Sequence, residues 1–281
     1  MPKIITEPCL LPDMDIDFYH AQPAPSSSRL SKYHEYAGAK ARYLEINPTE
    51  PSEEILIGQG VHDLVLQPEL AQHSIAIAPD VNLRTKAGRE IKKQFDEDNA
   101  GKIILTEENF ERALAAASAV SRHPLAEKHL TDIIAEHSIF WKEKETGELC
   151  RVRPDALQVG STTAVDLKTT SDCSEKAFQR SSWNFGYHRQ AAMYLEGINH
   201  CPEMMDLLQV GSVDEFLIIA VETKPPYLVN VFYMTPTLLD MGHYQFRKAL
   251  SNYIKAKKEG YPGYPPVYNE LSPPAWARWE Q

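Results

Sequence analysis

The sequence predicts an α/β fold, a core of short strands decorated by helices. Three observations predict it. Helical patterning fills most of residues 26–135, strand-like runs separated by turn residues begin at 138, and strong helices then alternate with strands up to residue 258. The composition fits a globular chain: 281 residues, 43% hydrophobic and 24% charged, enough for a sizeable core in one large domain or two small ones. No apolar run approaches the roughly 18 residues of a membrane span. The first twenty residues mix a lysine, acids and prolines without the continuous apolar stretch of a secretory signal. The expectation is a cytoplasmic protein with no membrane partner.

The elements follow in order. Residues 1–25 contain prolines and read as an irregular arm lying on the body or on a neighbouring subunit. Residues 26–281 then read as a single domain with its core at about 130–235. The serines at 26–28 offer helix N-caps ahead of RLSKYHEYAGAKARYLE, and EEILIGQGVHDLVLQ is a second helix whose two glycines serve close packing or a nearby ligand. Residues 71–108 form a polar excursion. The alanine-rich ENFERALAAASAVSRH is helical up to Pro124, with a further short helix at 128–135. Runs 138–142 and 149–153 make a hairpin around ETGE, and a turn at Gly160-Ser161 leads into TTAVDLKTT, giving three antiparallel strands. Helical SEKAFQRSS follows, then a strong helix over 183–198, a strand pair at 215–221 and 228–233, and a last helix from Pro236 to about 258. The proline- and aromatic-rich tail has no regular structure.

The net charge is −10, from 29 Lys+Arg against 39 Asp+Glu. That speaks against a passive DNA binder resting on a basic surface, but leaves room for an enzyme that confines positive charge to a channel. Positive charge does concentrate at 84–93 (RTKAGREIKK), where Arg84, Lys86, Arg89, Lys92 and Lys93 form either a solvated helix face or a phosphate-tracking one. The four cysteines, Cys9, Cys150, Cys173 and Cys201, show no CxxC pair or zinc-type histidine spacing. They read as unliganded, mostly buried thiols, with neither zinc nor an iron–sulfur cluster.

The chemistry-bearing stretch is RPDALQVGSTTAVDLKTT. Asp155 leaves one strand after a proline, and Asp166 and Lys168 lie two apart on the next, hence on one face, with Val165 and Leu167 on the other. Carboxylate oxygens suit Mg²⁺. Such an ion eases proton loss from water and takes up charge developing on phosphoryl oxygens, while the lysine orients or deprotonates the attacking water and neutralises phosphate. One metal or two remains open. A lone DxK is commonly a surface salt bridge; the upstream PD across a hairpin raises the catalytic reading. Gln190 and Tyr194 share a helix face with Tyr187, and His62 sits behind Gly58 and Gly60 on an earlier helix. Alone, these read as an amphipathic stripe and a hydrogen-bonded histidine. Glu136, ahead of the hairpin, is a weaker candidate that reads first as a surface carboxylate.

The ordered series GxxxH (Gly58, His62), PD (Asp155), DxK (Asp166, Lys168) and QxxxY (Gln190, Tyr194) resembles the RecB-type branch of the PD-(D/E)XK nucleases, and within it the RecE (exonuclease VIII) group. The matching stretches are SSSRLSKYHEY, LIGQGVHDLVLQPE, WKEKETGELCRVRPD, VDLKTTSDCSEKAF, NFGYHRQAAMYLEG and the tail YPGY with PPAW. The resemblance implies a restriction-endonuclease-like core, with a central mixed sheet flanked by helices. It also implies a Mg²⁺-dependent 5′→3′ exonuclease, with Mn²⁺ as a substitute ion, acting on double-stranded DNA ends and leaving 3′ single strands. A homo-oligomeric ring, tetrameric by preference, and a RecT-like single-strand annealing partner come with it. Residue by residue, it implies Asp155 and Asp166 as metal ligands, His62 as a further metal-site residue, Lys168 as the catalytic lysine, and Gln190 and Tyr194 as active-site helix residues. The alternatives are another DNA nuclease on the same core, structure-specific or single-strand, and a degenerate core kept for assembly or DNA binding. Loss of a ligand or the lysine would mark the last, and all are present.

Overall fold

The computed structural model describes residues 3–12 and 14–273. Its central sheet has five strands in the order β10 (Val229–Tyr233), β9 (Glu215–Glu222), β8 (Thr163–Thr170), β7 (Ala156–Gln158) and β4 (Ile133–Ala135). Strands β8 and β9 run parallel and their other neighbours antiparallel, so the sheet is mixed, as expected. A parallel pair needs a long crossover. Helices α9 (Glu175–Phe185), α10 (Tyr187–Asn199) and α11 (Pro202–Leu208) supply it.

Both faces of this sheet are covered, because β8 and β9 are apolar on both sides. Val165, Leu167, Leu217, Ile219 and Val221 pack against Ile57 and Val61 of α4 (Glu53–Leu66) and Ala113, Ala116 and Val120 of α7 (Glu107–Arg122). Ala164, Phe216 and Ile218 face α10 and α12 (Pro236–Lys258) through Ala191, Phe246, Ala249 and Leu250. The α10–α12 crossing is tight: a Cβ on Gly242 would lie 2.1 Å from the His188 carbonyl oxygen. Helix starts follow their caps. Ser26, Ser52, Thr106 and Thr235 each accept a hydrogen bond from a first-turn backbone N–H, and α12 begins at Pro236 with no donor wasted.

Several expectations are corrected. The arm is partly regular: β1 (Cys9–Leu11) pairs with β5 (Ser138–Lys142), and α1 (Ile16–Ala21) starts on an Asp15 cap. The first long helix is two, α2 (Ser27–Glu35) and α3 (Gly38–Ile46), because Tyr36 and Ala37 are extended. Residues 128–135 are the end of α8 (Pro124–His129) and then β4, with Asp132 in the left-handed region (φ 52°) between them. The hairpin of β5 and β6 (Leu149–Val152) belongs to a separate three-stranded sheet with β1, so the expected three-strand meander is split by β7. The helix expected over 183–198 begins at Tyr187, since Gly186 (φ 69°) ends α9 and starts α10. The polar excursion holds α5 (Pro68–Ser74), a parallel pair β2 (Ile75–Ile77) and β3 (Ile103–Leu105), and α6 (Lys86–Asp98) between them. Cys150, Cys173 and Cys201 are buried and Cys9 is half-buried. No helix among the described residues is long and apolar enough to cross a membrane. The quoted tail motif PPAW lies largely outside the described residues.

Candidate active site

Strand β8 carries the polar pair. Asp166 is fully buried, and its Oδ2 lies 2.5 Å from Lys168 Nζ. That contact makes the two a buried ion pair. Its Oδ1 accepts from Gln190 Nε2 of α10 at 2.8 Å. Tyr187, one turn earlier on α10, presents its ring to Lys168, with Nζ 5.3 Å from the centroid. Tyr194 is on the same helix, packed edge-on against Phe216 at 6.4 Å, with its hydroxyl near Gln190. The expected i, i+2 strand pair and i, i+4 helix pair therefore meet.

The peptide between Asp166 and Lys168 holds the other side. Leu167 N donates to Asp155 Oδ2 at 2.7 Å, and Leu167 O faces His62 Nε2 at 2.6 Å. A carbonyl only accepts, so Nε2 must carry a proton. In a ring with one proton Nδ1 then keeps its lone pair, and it lies 3.7 Å from Asp155 Oδ2. Helix α4 reaches this close because Gly58 has no Cβ; one there would meet Thr169 Oγ1 at 2.8 Å.

Glu136 completes the group. Ligand atoms of His62, Glu136 and Asp155 all lie within 4.8 Å of one another. The reading of Glu136 as a surface carboxylate is thus corrected: its side chain is only 19% exposed and bonded to Arg153 Nε at 2.7 Å. Its backbone is left-handed (φ 56°), a conformation rare for residues other than glycine, and its N–H bonds the carbonyls of Pro154 and Asp155. Composition gives no warning of such a turn, so only its position before the hairpin marked it. Asp166 stands beside the three-donor group rather than in it.

Burial, with the charge of Asp155 added, pushes Glu136 up to about 7. Burial likewise raises Asp166, to about 6, against the pull of Lys168. Burial opposes protonation of Lys168, but Asp166 and Asp155 outweigh it and hold the amine above its ordinary range. At neutral pH Lys168 is therefore an ammonium, suited to neutralising charge rather than taking a proton. Burial keeps the Tyr194 phenol protonated. Crowded carboxyls pushed upward by burial and by one another are the electrostatic signature of a cation site.

Residues 26–265 match the family model for a PDDEXK-like domain of unknown function (DUF3799). The chain belongs to that family. It thereby falls in the PD-(D/E)XK nuclease superfamily, whose core matches the mixed sheet and flanking helices described above. Among solved structures, this PDDEXK-like chain is similar to a protein from Eubacterium rectale named "Putative exonuclease". The TM-score is 0.58 and the identity 15%, over 86% of this chain and 87% of that one. That likeness shows a shared fold. The structure of SSO0001 aligns at a TM-score of 0.28 with 10% identity, over 69% of this chain and 86% of that one, too distant to carry an argument. No curated protein matches.

The basic helix of the PDDEXK-like domain is separate from the site. Lys92 pairs with Asp96 at 2.5 Å and Lys93 with Glu97 at 3.7 Å, each one helical turn on. Arg89 donates to the carbonyls of Leu83 and Arg84. Arg84, Lys86, Arg89, Lys92 and Lys93 make none of the contacts that hold the carboxylates. An apolar cleft of about 370 Å³, lined by Phe178, Trp183, His188, Phe232, Met234 and Leu238 among others, also excludes them.

Proposed function

We propose that this chain is a Mg²⁺-dependent exonuclease on linear double-stranded DNA, cutting 5′→3′ in the cytoplasm and leaving 3′ single strands for annealing. One observation carries the hydrolase reading: three ligand-bearing side chains from three parts of the chain converge within 4.8 Å beside a buried carboxylate–ammonium pair. The donors fit a hard divalent ion, being two carboxylates and one imidazole with its free nitrogen turned inward. Asp155, Glu136 and His62 would hold the ion, with Asp166 adjoining. Such an ion, or Mn²⁺ in its place, supplies Lewis acidity toward phosphoryl oxygens and makes water a better nucleophile.

The chain's own groups do the rest. Lys168, kept protonated, lies where a phosphate held at the carboxylates would need its negative charge offset. Gln190 fixes the Asp166 carboxyl plane, and Tyr187 steadies the ammonium from its other side. Arg153 holds Glu136 in place. End-dependence, polarity, a tetrameric ring and a RecT-like annealing partner rest on the resemblance of the motif series to the RecE group. A ring would also let an acidic chain stay on DNA by topology rather than affinity.

The test compares linear duplex, nicked circle, closed circle and single strand in Mg²⁺ and in chelator. Nucleotide release from linear duplex alone supports the reading. Equal cutting of closed circles excludes end-dependence, and preference for single strands replaces it with a single-strand nuclease.

A further inference from the structure

Phe185 closes α9 and is 68% exposed, so the core does not account for it. Its ring lies 5.8 Å from that of Tyr187, with 24° between the planes. Tyr187 in turn holds the Lys168 ammonium at 5.3 Å. An exposed ring, a half-buried ring and the site's cation thus form one contiguous row. The row is fixed in place. Gly186 between the two rings is left-handed, and a Cβ there would lie 2.4 Å from the Arg189 guanidinium. Arg189 is itself buried and held by Ser31, Gln245 and Glu35. Trp183, also exposed, already has His188 stacked on its ring at 4.7 Å and 6°.

We infer that Phe185 is a stacking platform for an unpaired or terminal base of the DNA strand whose phosphate sits at Lys168. This deepens the nuclease reading above and rests on it. Every base offers a π face, and stacking on an aromatic side chain is indifferent to sequence. Inside a duplex that face is covered by neighbouring base pairs, so only an end or an unpaired nucleotide exposes one. A platform beside the phosphate-neutralising lysine therefore selects strand ends from continuous duplex, a preference the carboxylates alone do not impose.

The experiment uses the full chain and a duplex carrying 2-aminopurine at an unpaired terminal position. Binding and fluorescence are read in Ca²⁺, and cutting of the same duplex is read separately in Mg²⁺. The parent should quench the probe. Phe185→Ala should lose the quenching and bind about 5- to 140-fold more weakly, and Phe185→Trp should restore both. If Phe185→Ala binds and quenches like a parent that cuts, the platform fails and the nuclease stands. A parent that binds and quenches but never cuts supports the platform and sinks the nuclease reading. No binding by the parent overturns both. A Phe185→Ala chain with normal binding but a smaller sedimentation coefficient makes Phe185 a subunit contact, which also overturns the proposal.

Discussion

Glu136→Gln should make the ion-free protein more stable above neutral pH while impairing metal binding. The carboxyl is moved from 4.5 to about 7 by burial and by Asp155. Below about 4.5 it is protonated in both the folded and unfolded chain and has no effect on the pH dependence. Between 4.5 and 7 the unfolded chain has released the proton and the folded chain retains it. Folding then binds the extra proton, so stability falls as pH rises and the loss is complete above 7. At 1.36 kcal/mol per pH unit, the loss is about 3 kcal/mol. Glutamine mimics the protonated group and escapes it, so at pH 8 the variant should melt on the order of 6 °C higher, and at pH 4 alongside the parent. Melts in chelator at the two pH values check this. Added Mg²⁺ should then raise the parent more than the variant, since binding to the folded state stabilises by mass action. A variant no more stable than the parent at pH 8 would refute the claim that a buried, crowded charge sits at 136.

Further expectations follow the same reasoning. Asp166→Asn leaves the Lys168 ammonium buried without its partner and should destabilise by about 3–5 kcal/mol. The double variant Asp166→Asn/Lys168→Met should recover most of that in urea melts while cutting stays absent, and an unrecovered double variant would show that the pair is not the source of the loss. Gly242→Ala drives a methyl into the His188 carbonyl and should lower stability by about 1–3 kcal/mol, read by thermal melting. Lys92→Ala/Lys93→Ala should change the slope of log binding constant against log salt by clearly less than the roughly 1.8 expected for two lost phosphate contacts, because Asp96 and Glu97 already match these charges. A full drop would return α6 to the DNA-binding surface.

Much of the fold was readable because its signals are local. Helix α12 begins at Pro236, as a first-turn proline predicts, and ends at Lys258. The period-two spacing of Asp166 and Lys168, and the four-residue spacing of Gln190 and Tyr194, put each pair on a shared face. What was not readable depends on distant partners or on backbone conformation. Strand β1 exists because β5 offers it an edge, and CLL alone is too short to announce a strand. Strands β7 and β4 are three residues each and owe their place to the neighbour each pairs with, β8 for the first and β7 for the second. The break at Gly186 was visible as a glycine, but helical patterning on both sides concealed it. Glu136 reads as a surface carboxylate for the same kind of reason: its approach to His62 and Asp155 comes from a left-handed turn that its side chain does not favour.

Arg153 bonds Glu136 and also, at 2.7 Å, the carbonyl oxygen of Met14. Arg151, two residues earlier on β6, lies under the Tyr19 ring at 4.6 Å and donates to the carbonyl of His20. Residues 14–22 are thus moored to two guanidiniums, one of which also holds Glu136. Loosening that segment would free Arg153 and with it Glu136, and would register as weaker ion affinity before it registered as unfolding.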